Sequence, residues 1–364
     1  MPDAYGFTRY GGPETQAFLD LPKPVPSPGE LLVAVYAAGV NPVDWKVRAG
    51  MHRGFLHLDL PAVLGREVAG AVEEVGEGVT GFSVGDPVFG SSAAGCGGYA
   101  RFAVLTADRT APKPAGVSFT DAAALPIAAG TGYDAVGVLG GVRTVASDQP
   151  AASGACDRKA EGRPRSGPTR VIPTTQRACV PGVAGPTGLC GHPLGPAPGE
   201  TLLILGVGGG VGVAAAQIAG EAGVSVVGTA TAAKREFVTS LGATAVPYDS
   251  GHVAEELKAA LPQGPDAILD LVGGDALDGV AALIRPGCRI LTVADPGTAA
   301  RFGARPLTRN STPRTLAELA RRVAAGRLDP RVHRVFPFEE AEAALHEVES
   351  GHAWGKVVLE MRRA

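Results

Sequence analysis

Between Thr201 and Ala294 the sequence repeats one unit: a short, unbroken apolar run, then a stretch of helical period. The runs are Thr201–Leu205, Ser225–Thr229, Thr244–Val246, Asp266–Val272 and Arg289–Ala294. Helices are expected across Val211–Ala222, Lys234–Leu241, Val253–Leu261 and Ala276–Ile284. Strands that lack polar alternation need a sheet covered on both faces. Their alternation with helices predicts right-handed βαβ units around a parallel sheet, an α/β fold. The competing reading is a membrane span, because Thr201–Gly220 has 20 residues and no charge. Six glycines interrupt that stretch, four of them between 206 and 210, and the βα alternation that follows has no membrane counterpart.

The first run ends in Gly206-Val207-Gly208-Gly209-Gly210-Val211-Gly212, between a strand and a helix. A dinucleotide-binding turn requires that context. Glycines let the backbone approach a pyrophosphate, and the helix start offers unpaired N–H donors and a positive dipole end. A strict GxGxxG would need glycine at 207, where this chain has Val207. The second run ends Gly228-Thr229-Ala230-Thr231-Ala232-Ala233-Lys234-Arg235. NAD binders place an acid there for the ribose 2′-hydroxyl. Hydroxyls and cations suit a 2′-phosphate instead. An ordinary solvated helix start is the plainer reading of Lys234 and Arg235, but cations at a helix N-terminus are unfavourable. NADP(H) is therefore expected over NAD(H).

Upstream the pattern is β-rich, with strands expected at Glu30–Ala38, Val68–Val75 and Pro87–Phe89. Alternating Pro22, Pro24, Pro26 and Pro28 suit an extended approach to the first of these. Residues 141–195 differ: 9 Gly, 7 Pro, no aromatic residue and a local charge of 7 − 3 = +4 in 55 residues. Such a segment buries too little apolar surface to offset its ordering entropy, so a mostly disordered insertion is expected. The five cysteines form no CxxC pair, which argues against a disulfide framework or closed zinc site. A net charge of −3 argues against a nucleic-acid binder. The start has neither a basic nor an apolar leader region, so a cytoplasmic location is expected.

An ordered set of blocks resembles the medium-chain dehydrogenase/reductase superfamily, in its zinc-independent, quinone-oxidoreductase-like branch. The blocks are Gly39-Val40-Asn41-Pro42-Val43-Asp44-Trp45-Lys46, Leu64-Gly65-Arg66-Glu67-Val68-Ala69-Gly70, Gly85-Asp86-Pro87-Val88 and Gly97-Gly98-Tyr99-Ala100. Ala129-Gly130-Thr131-Gly132-Tyr133-Asp134-Ala135, the glycine turn, Asp270-Leu271-Val272-Gly273-Gly274 and Gly355-Lys356-Val357-Val358-Leu359 follow. The resemblance implies a GroES-like catalytic domain from both chain ends, 1–128 and 300–364. A Rossmann domain over 129–299, interrupted by the insertion, would lie between them. Zinc-dependent relatives have a Cys at Asn41 and a His at Arg66, so no metal is expected.

The resemblance further implies reduction of a quinone or α,β-unsaturated carbonyl by NADPH, with a small-molecule substrate, no membrane or nucleic-acid partner, and a homodimer. Asn41 would sit near the nicotinamide and donate to the substrate oxygen. His52 stands where several relatives carry a Tyr and would donate a hydrogen bond or proton; an exposed loop histidine is the plainer reading. Thr131 would touch the nicotinamide side. Gly209, Gly210, Val211 and Gly212 would cradle the pyrophosphate. Thr229 and Lys234 would meet the 2′-phosphate, and Tyr248 the adenosine end. Leu271, Val272 and Gly273 end a strand at the ligand edge, and Lys356 either joins the site or anchors the last strand. Two other readings stay open: a catalytically silent NADPH-binding homologue, and a zinc-type alcohol dehydrogenase.

Overall fold

A computed structural model describes residues 3–94, 97–139, 197–295, 297 and 300–361. The expected insertion, residues 141–195, lies outside the described residues, as does Cys96.

The apolar runs form one parallel sheet. Its order is Thr244–Pro247, Ser225–Ala230, Thr201–Leu205, Ala267–Asp270, Arg289–Thr292 and Arg305–Pro306. Thr201–Leu205 lies inside the sheet and is covered on both faces. Leu202 and Ile204 pack into one core with Val213, Ala216 and Ile218 of the helix Gly210–Glu221. Leu203 and Leu205 pack into another with Leu257 and Ile268. This double burial is why the run shows no alternation. Strand order reverses at Thr201–Leu205, and an open α/β sheet binds ligands beyond the strand ends at such a point.

Helical expectations hold at Gly210–Glu221, Arg235–Thr239 and Val253–Ala260. Ala276–Ile284 is a correction: it folds as short 3₁₀ turns, Gly274–Ala276 and Asp278–Leu283. Gly273 and Gly274 adopt φ of +76° and +55°, and Gly279 lies inside the segment. Glycine lowers helix propensity enough to leave only tight turns.

The second six-stranded sheet draws on both ends of the chain. Its order is Val332–Pro337, Lys356–Glu360, Glu30–Val40, Glu67–Val75, Pro87–Ser92 and Phe102–Pro112. Phe102–Pro112, which the sequence pattern did not single out, also pairs with Glu30–Val40, so the sheet curls back on itself. The proline-rich approach to Glu30 carries no regular structure. It is preceded by the strands Ala4–Phe7 and Gln16–Leu19, which join Ala62–Val63 in a small third sheet. Arg48, 1% exposed, makes a bidentate pair with Glu349 at 3.0 and 2.6 Å. That pair ties the helix Pro42–Arg48 to the C-terminal helix Ala341–Glu349. Among the described residues no helix is long and apolar enough to cross a membrane.

Candidate active site

Strand register brings three distant residues together. Val357 lies opposite Val40, and Glu67 opposite Gly39. Asn41, Glu67 and Lys356 therefore meet at one end of the curled sheet. Glu67 is wholly buried and Lys356 is 3% exposed. The Lys356 ammonium donates to Glu67 Oε1 at 2.7 Å, Asn41 Oδ1 at 2.8 Å and the Val40 carbonyl at 3.0 Å. Those are all the hydrogens an ammonium has. Asn41 Nδ2 donates to Glu67 Oε1 at 2.7 Å and at 3.4 Å to the Gly39 carbonyl. Gly39 is required: a Cβ there would lie 2.3 Å from Glu67 Oε1 and 2.6 Å from the Ala123 carbonyl oxygen.

The other carboxylate oxygen, Glu67 Oε2, accepts from the Ile127 N–H at 2.6 Å. Ile127 lies in a π-helical turn, Leu125–Ala129, that leads into the helix Gly130–Leu139. Turns of this kind recur at functional sites. Arg309 clamps it from the far side. Its guanidinium donates to the Pro126 carbonyl at 2.8 Å, the Ile127 carbonyl at 3.1 Å, Thr131 Oγ1 at 2.7 Å and Asp134 at 3.0 Å.

Asn41 caps the helix Pro42–Arg48, and its N–H donates to Asp44 Oδ2 at 2.8 Å. The Tyr99 hydroxyl donates to the same oxygen at 2.7 Å. Burial pushes the Asp44 carboxyl up to about 6, against the pull of the Tyr99 and Asn41 hydrogen bonds.

The glycine turn faces this cluster. Gly206 has φ +86°, and its N–H donates to Thr229 Oγ1 at 3.1 Å. The helix Gly210–Glu221 starts at Gly209 with no capping side chain, leaving its first N–H groups for a ligand. A Cβ on Gly209 would meet nothing closer than the Gly206 carbonyl oxygen at 3.8 Å. Gly355 N–H donates to the Gly208 carbonyl at 2.9 Å, docking the last strand onto the turn.

Two adjoining cavities, about 190 and 610 Å³, share Gly206, Gly209, Leu271, Gly351 and Ala353. The smaller also contains Asn41, Gly210, Val211, Gly212 and Lys356. The larger adds Thr229, Lys234, Tyr248, Val272 and Gly273. The walls are thus the glycine turn, the ends of three parallel strands and the Asn41–Lys356 cluster. A bent dinucleotide fits such a trough, its pyrophosphate at the open helix N-terminus. Lys234 is 8% exposed and donates to the Ala353 carbonyl at 2.7 Å; burial holds its ammonium below the usual lysine range. Asp270, wholly buried behind the larger cavity, fixes its Val272–Gly273 edge, accepting from Val272 N–H at 3.1 Å, Gly273 N–H at 2.9 Å and the Thr292 hydroxyl at 2.8 Å.

Two expected site residues line neither cavity. Thr131 spends its hydroxyl on the Ile127 carbonyl and Arg309. His52 stands in the loop after Pro42–Arg48, its ring 4.8 Å from that of Phe55. Burial holds its imidazole below the usual range, aided by Arg66 and Lys46. Glu67 and Arg309 were not singled out as site residues from sequence. Glu67 stood inside a quoted motif, whereas no motif signalled Arg309.

A zinc ion does not fit these residues. Asn41 and Arg66 occupy the two expected ligand positions, and Glu67 already holds an ammonium at 2.7 Å. Among the described residues no cluster of three or more His, Cys, Asp or Glu residues suits a metal ion.

Comparison with known proteins places the chain. Residues 27–115 match the alcohol dehydrogenase GroES-like domain model, and residues 241–359 the model described as zinc-binding dehydrogenase. The chain is 29% identical to pig quinone oxidoreductase, over 96% of this chain and 95% of the relative. It is 27% identical to the bovine mitochondrial NAD(P)H oxidoreductase RTN4IP1, over 99% of this chain and 89% of the relative. Among solved structures, the quinone oxidoreductase from Coxiella burnetii aligns with a TM-score of 0.78 at 26% identity, covering 99% of each chain.

Proposed function

From its membership of the medium-chain dehydrogenase/reductase superfamily, in the quinone-oxidoreductase-like branch, we propose that this nicotinamide-dependent oxidoreductase reduces quinones or α,β-unsaturated carbonyls with NADPH and without zinc. The observation that carries this reading is the Asn41–Glu67–Lys356 cluster, an internally paired group where a metal-dependent enzyme needs free ligands.

Bound NADPH supplies the hydride. The chain's own residues bind and orient. The N–H groups at Gly210, Val211 and Gly212 hold the pyrophosphate. Thr229 shapes the turn through Gly206 and, with Lys234 and Tyr248, lines the adenosine end. Lys234 uses one hydrogen on Ala353, leaving two for a 2′-phosphate. Leu271 and Val272 give an apolar wall, and Val272 is 59% exposed. Lys356, with its hydrogens spent, fixes the Asn41 amide beside the nicotinamide end of the trough. The second hydrogen of Asn41 Nδ2, held only weakly at 3.4 Å by the Gly39 carbonyl, is the one available to a substrate oxygen.

The test is NADPH and NADH oxidation against a panel of quinones and enones, with and without a chelator. Turnover is expected with NADPH preferred, unaffected by the chelator, and the preference shrinks in Lys234→Ala. Equal use of NADH would refute the cofactor assignment. Stoichiometric zinc needed for activity would refute the metal-free mechanism. NADPH binding without any turnover would favour a silent homologue.

A further inference from the structure

Arg309 lines neither cavity, yet every hydrogen of its guanidinium is engaged. Nη2 donates to the Pro126 carbonyl at 2.8 Å and to Ser311 Oγ at 3.1 Å. Nη1 donates to the Ile127 carbonyl at 3.1 Å and to Thr131 Oγ1 at 2.7 Å, and Nε to Asp134 at 3.0 Å. Those five bonds use the full set of N–H groups an arginine has. Gly130 leaves room for the approach, since a Cβ there would lie 2.4 Å from Nη2. With no hydrogen left over, the effects of Arg309 pass through the groups it holds.

One of those groups reaches the reaction centre. The Pro126 carbonyl and the Ile127 N–H are the two ends of a single peptide group. The guanidinium sits on the carbonyl end at 2.8 Å, and Glu67 Oε2 sits on the N–H end at 2.6 Å. The peptide dipole therefore lies between a cation and an anion in its favourable direction. Bonds to ionised groups are the short, strong ones, and in such a chain each strengthens the next by about 10–30%. Among the described residues the Ile127 N–H is the one donor to Oε2, whereas Oε1 has two, Lys356 and Asn41. The Ile127 N–H thus sets the rotation of the carboxylate, and the carboxylate holds Asn41 Nδ2 at 2.7 Å. Ala128, the next residue of the same turn, lines the smaller cavity with Asn41 and Lys356.

We propose that Arg309 is a positioning residue for the reaction centre: through the Pro126–Ile127 peptide it fixes the Glu67 carboxylate and, with it, the Asn41 amide. The inference rests on the reductase reading for what Asn41 serves, and adds a residue outside both cavities on which turnover depends.

The test reads the peptide itself. Pro126-Ile127 is the only Pro-Ile pair in the sequence, so carbonyl-¹³C proline with ¹⁵N isoleucine gives one doubly labelled peptide in the full chain, read by NMR. The chain has two asparagines, Asn41 and Asn310, so ¹⁵N asparagine reads the Asn41 side-chain amide in a second sample. Asp134→Ala is the reference, because Arg309→Met alone would strand the buried Asp134 carboxylate. When Arg309→Met is added to it, the Ile127 amide proton and the Pro126 carbonyl carbon are expected to move upfield, and the Asn41 side-chain amide to shift with them. With NADPH and the best quinone or enone, kcat falls about tenfold or more while KM for NADPH changes less than about twofold. Arg309→Lys, which keeps the charge without the planar fork, falls part-way in both readouts. Circular dichroism checks folding, and Arg309→Lys serves if the Arg309→Met variant is not folded. An unmoved resonance at either Ile127 or Asn41, or an unchanged kcat in a folded variant, overturns the proposal. If no quinone or enone is reduced yet both resonances move, the positioning stands and the reductase reading falls.

Discussion

Replacing Lys356 by Met should destabilise the protein by about 3–5 kcal/mol, the range for removing one member of a buried ion pair. Glu67 is wholly buried, so water cannot reach it when the ammonium is lost. Its carboxylate would keep only Asn41 Nδ2 at 2.7 Å and Ile127 N–H at 2.6 Å. Asn41 Oδ1 and the Val40 carbonyl would each lose a donor as well. The methionine side chain has similar length, so cavity formation adds little. The assay is urea unfolding of the ligand-free protein followed by circular dichroism, on Lys356→Met, Glu67→Gln and the double variant. Each single change strands one buried partner, whereas the double change removes both charges. The double variant should therefore lose less than the two singles combined, by about 1–3 kcal/mol of coupling. A Lys356→Met cost below about 1 kcal/mol would refute the reasoning. So would additive singles, since the pair would then be solvated in practice.

Asp44 gives a pH test. Its carboxyl is raised from 3.8 to about 6, so its favourable contribution is complete below about pH 4 and is lost as pH rises through 6. Two pH units are worth about 3 kcal/mol; Asp44→Asn should gain stability relative to the parent between pH 4 and 7, and a flat difference in urea unfolding would contradict this. Gly212→Ala puts a Cβ 2.6 Å from Val207 Cα and the Val207 carbonyl oxygen, backbone atoms that cannot swing away. It should cost about 1–3 kcal/mol and weaken NADPH binding, read by cofactor fluorescence. Arg309→Met strands Asp134, which is 5% exposed, and should cost about 3 kcal/mol in the same unfolding assay.

The parallel sheet was legible because its strands are covered on both faces, and continuous apolar runs are the direct imprint of that burial. The trough was legible for a related reason. Gly206, Gly209 and Gly212 are needed by local geometry or close approach, and local requirements leave local marks. The long strand Phe102–Pro112 was harder to see. Its exposed positions Asp108 and Arg109 interrupt an alternation of buried and half-buried positions, and one of its two partners, Glu30–Val40, is far away in the chain. Ala276–Ile284 looked helical by period, but the glycines around it decided for tight turns.

His52 and Thr131 were suggested by position in a motif, and the structure places both outside the walls of the two cavities. Thr131 is absorbed by Arg309, which lies 178 residues away in the chain.

The sequence by itself determined the α/β class, the place of the glycine turn and the family, because each depends on residues close together in the chain. Only the tertiary structure decided what Asn41, Glu67 and Lys356 do. They come from three separate strand ends, 26 and 289 residues apart along the chain from Glu67, and strand register alone makes them neighbours. A buried charge takes its meaning from what surrounds it in space. Lys356 is spent on three acceptors for that reason, and nothing in its own stretch of chain foretells it.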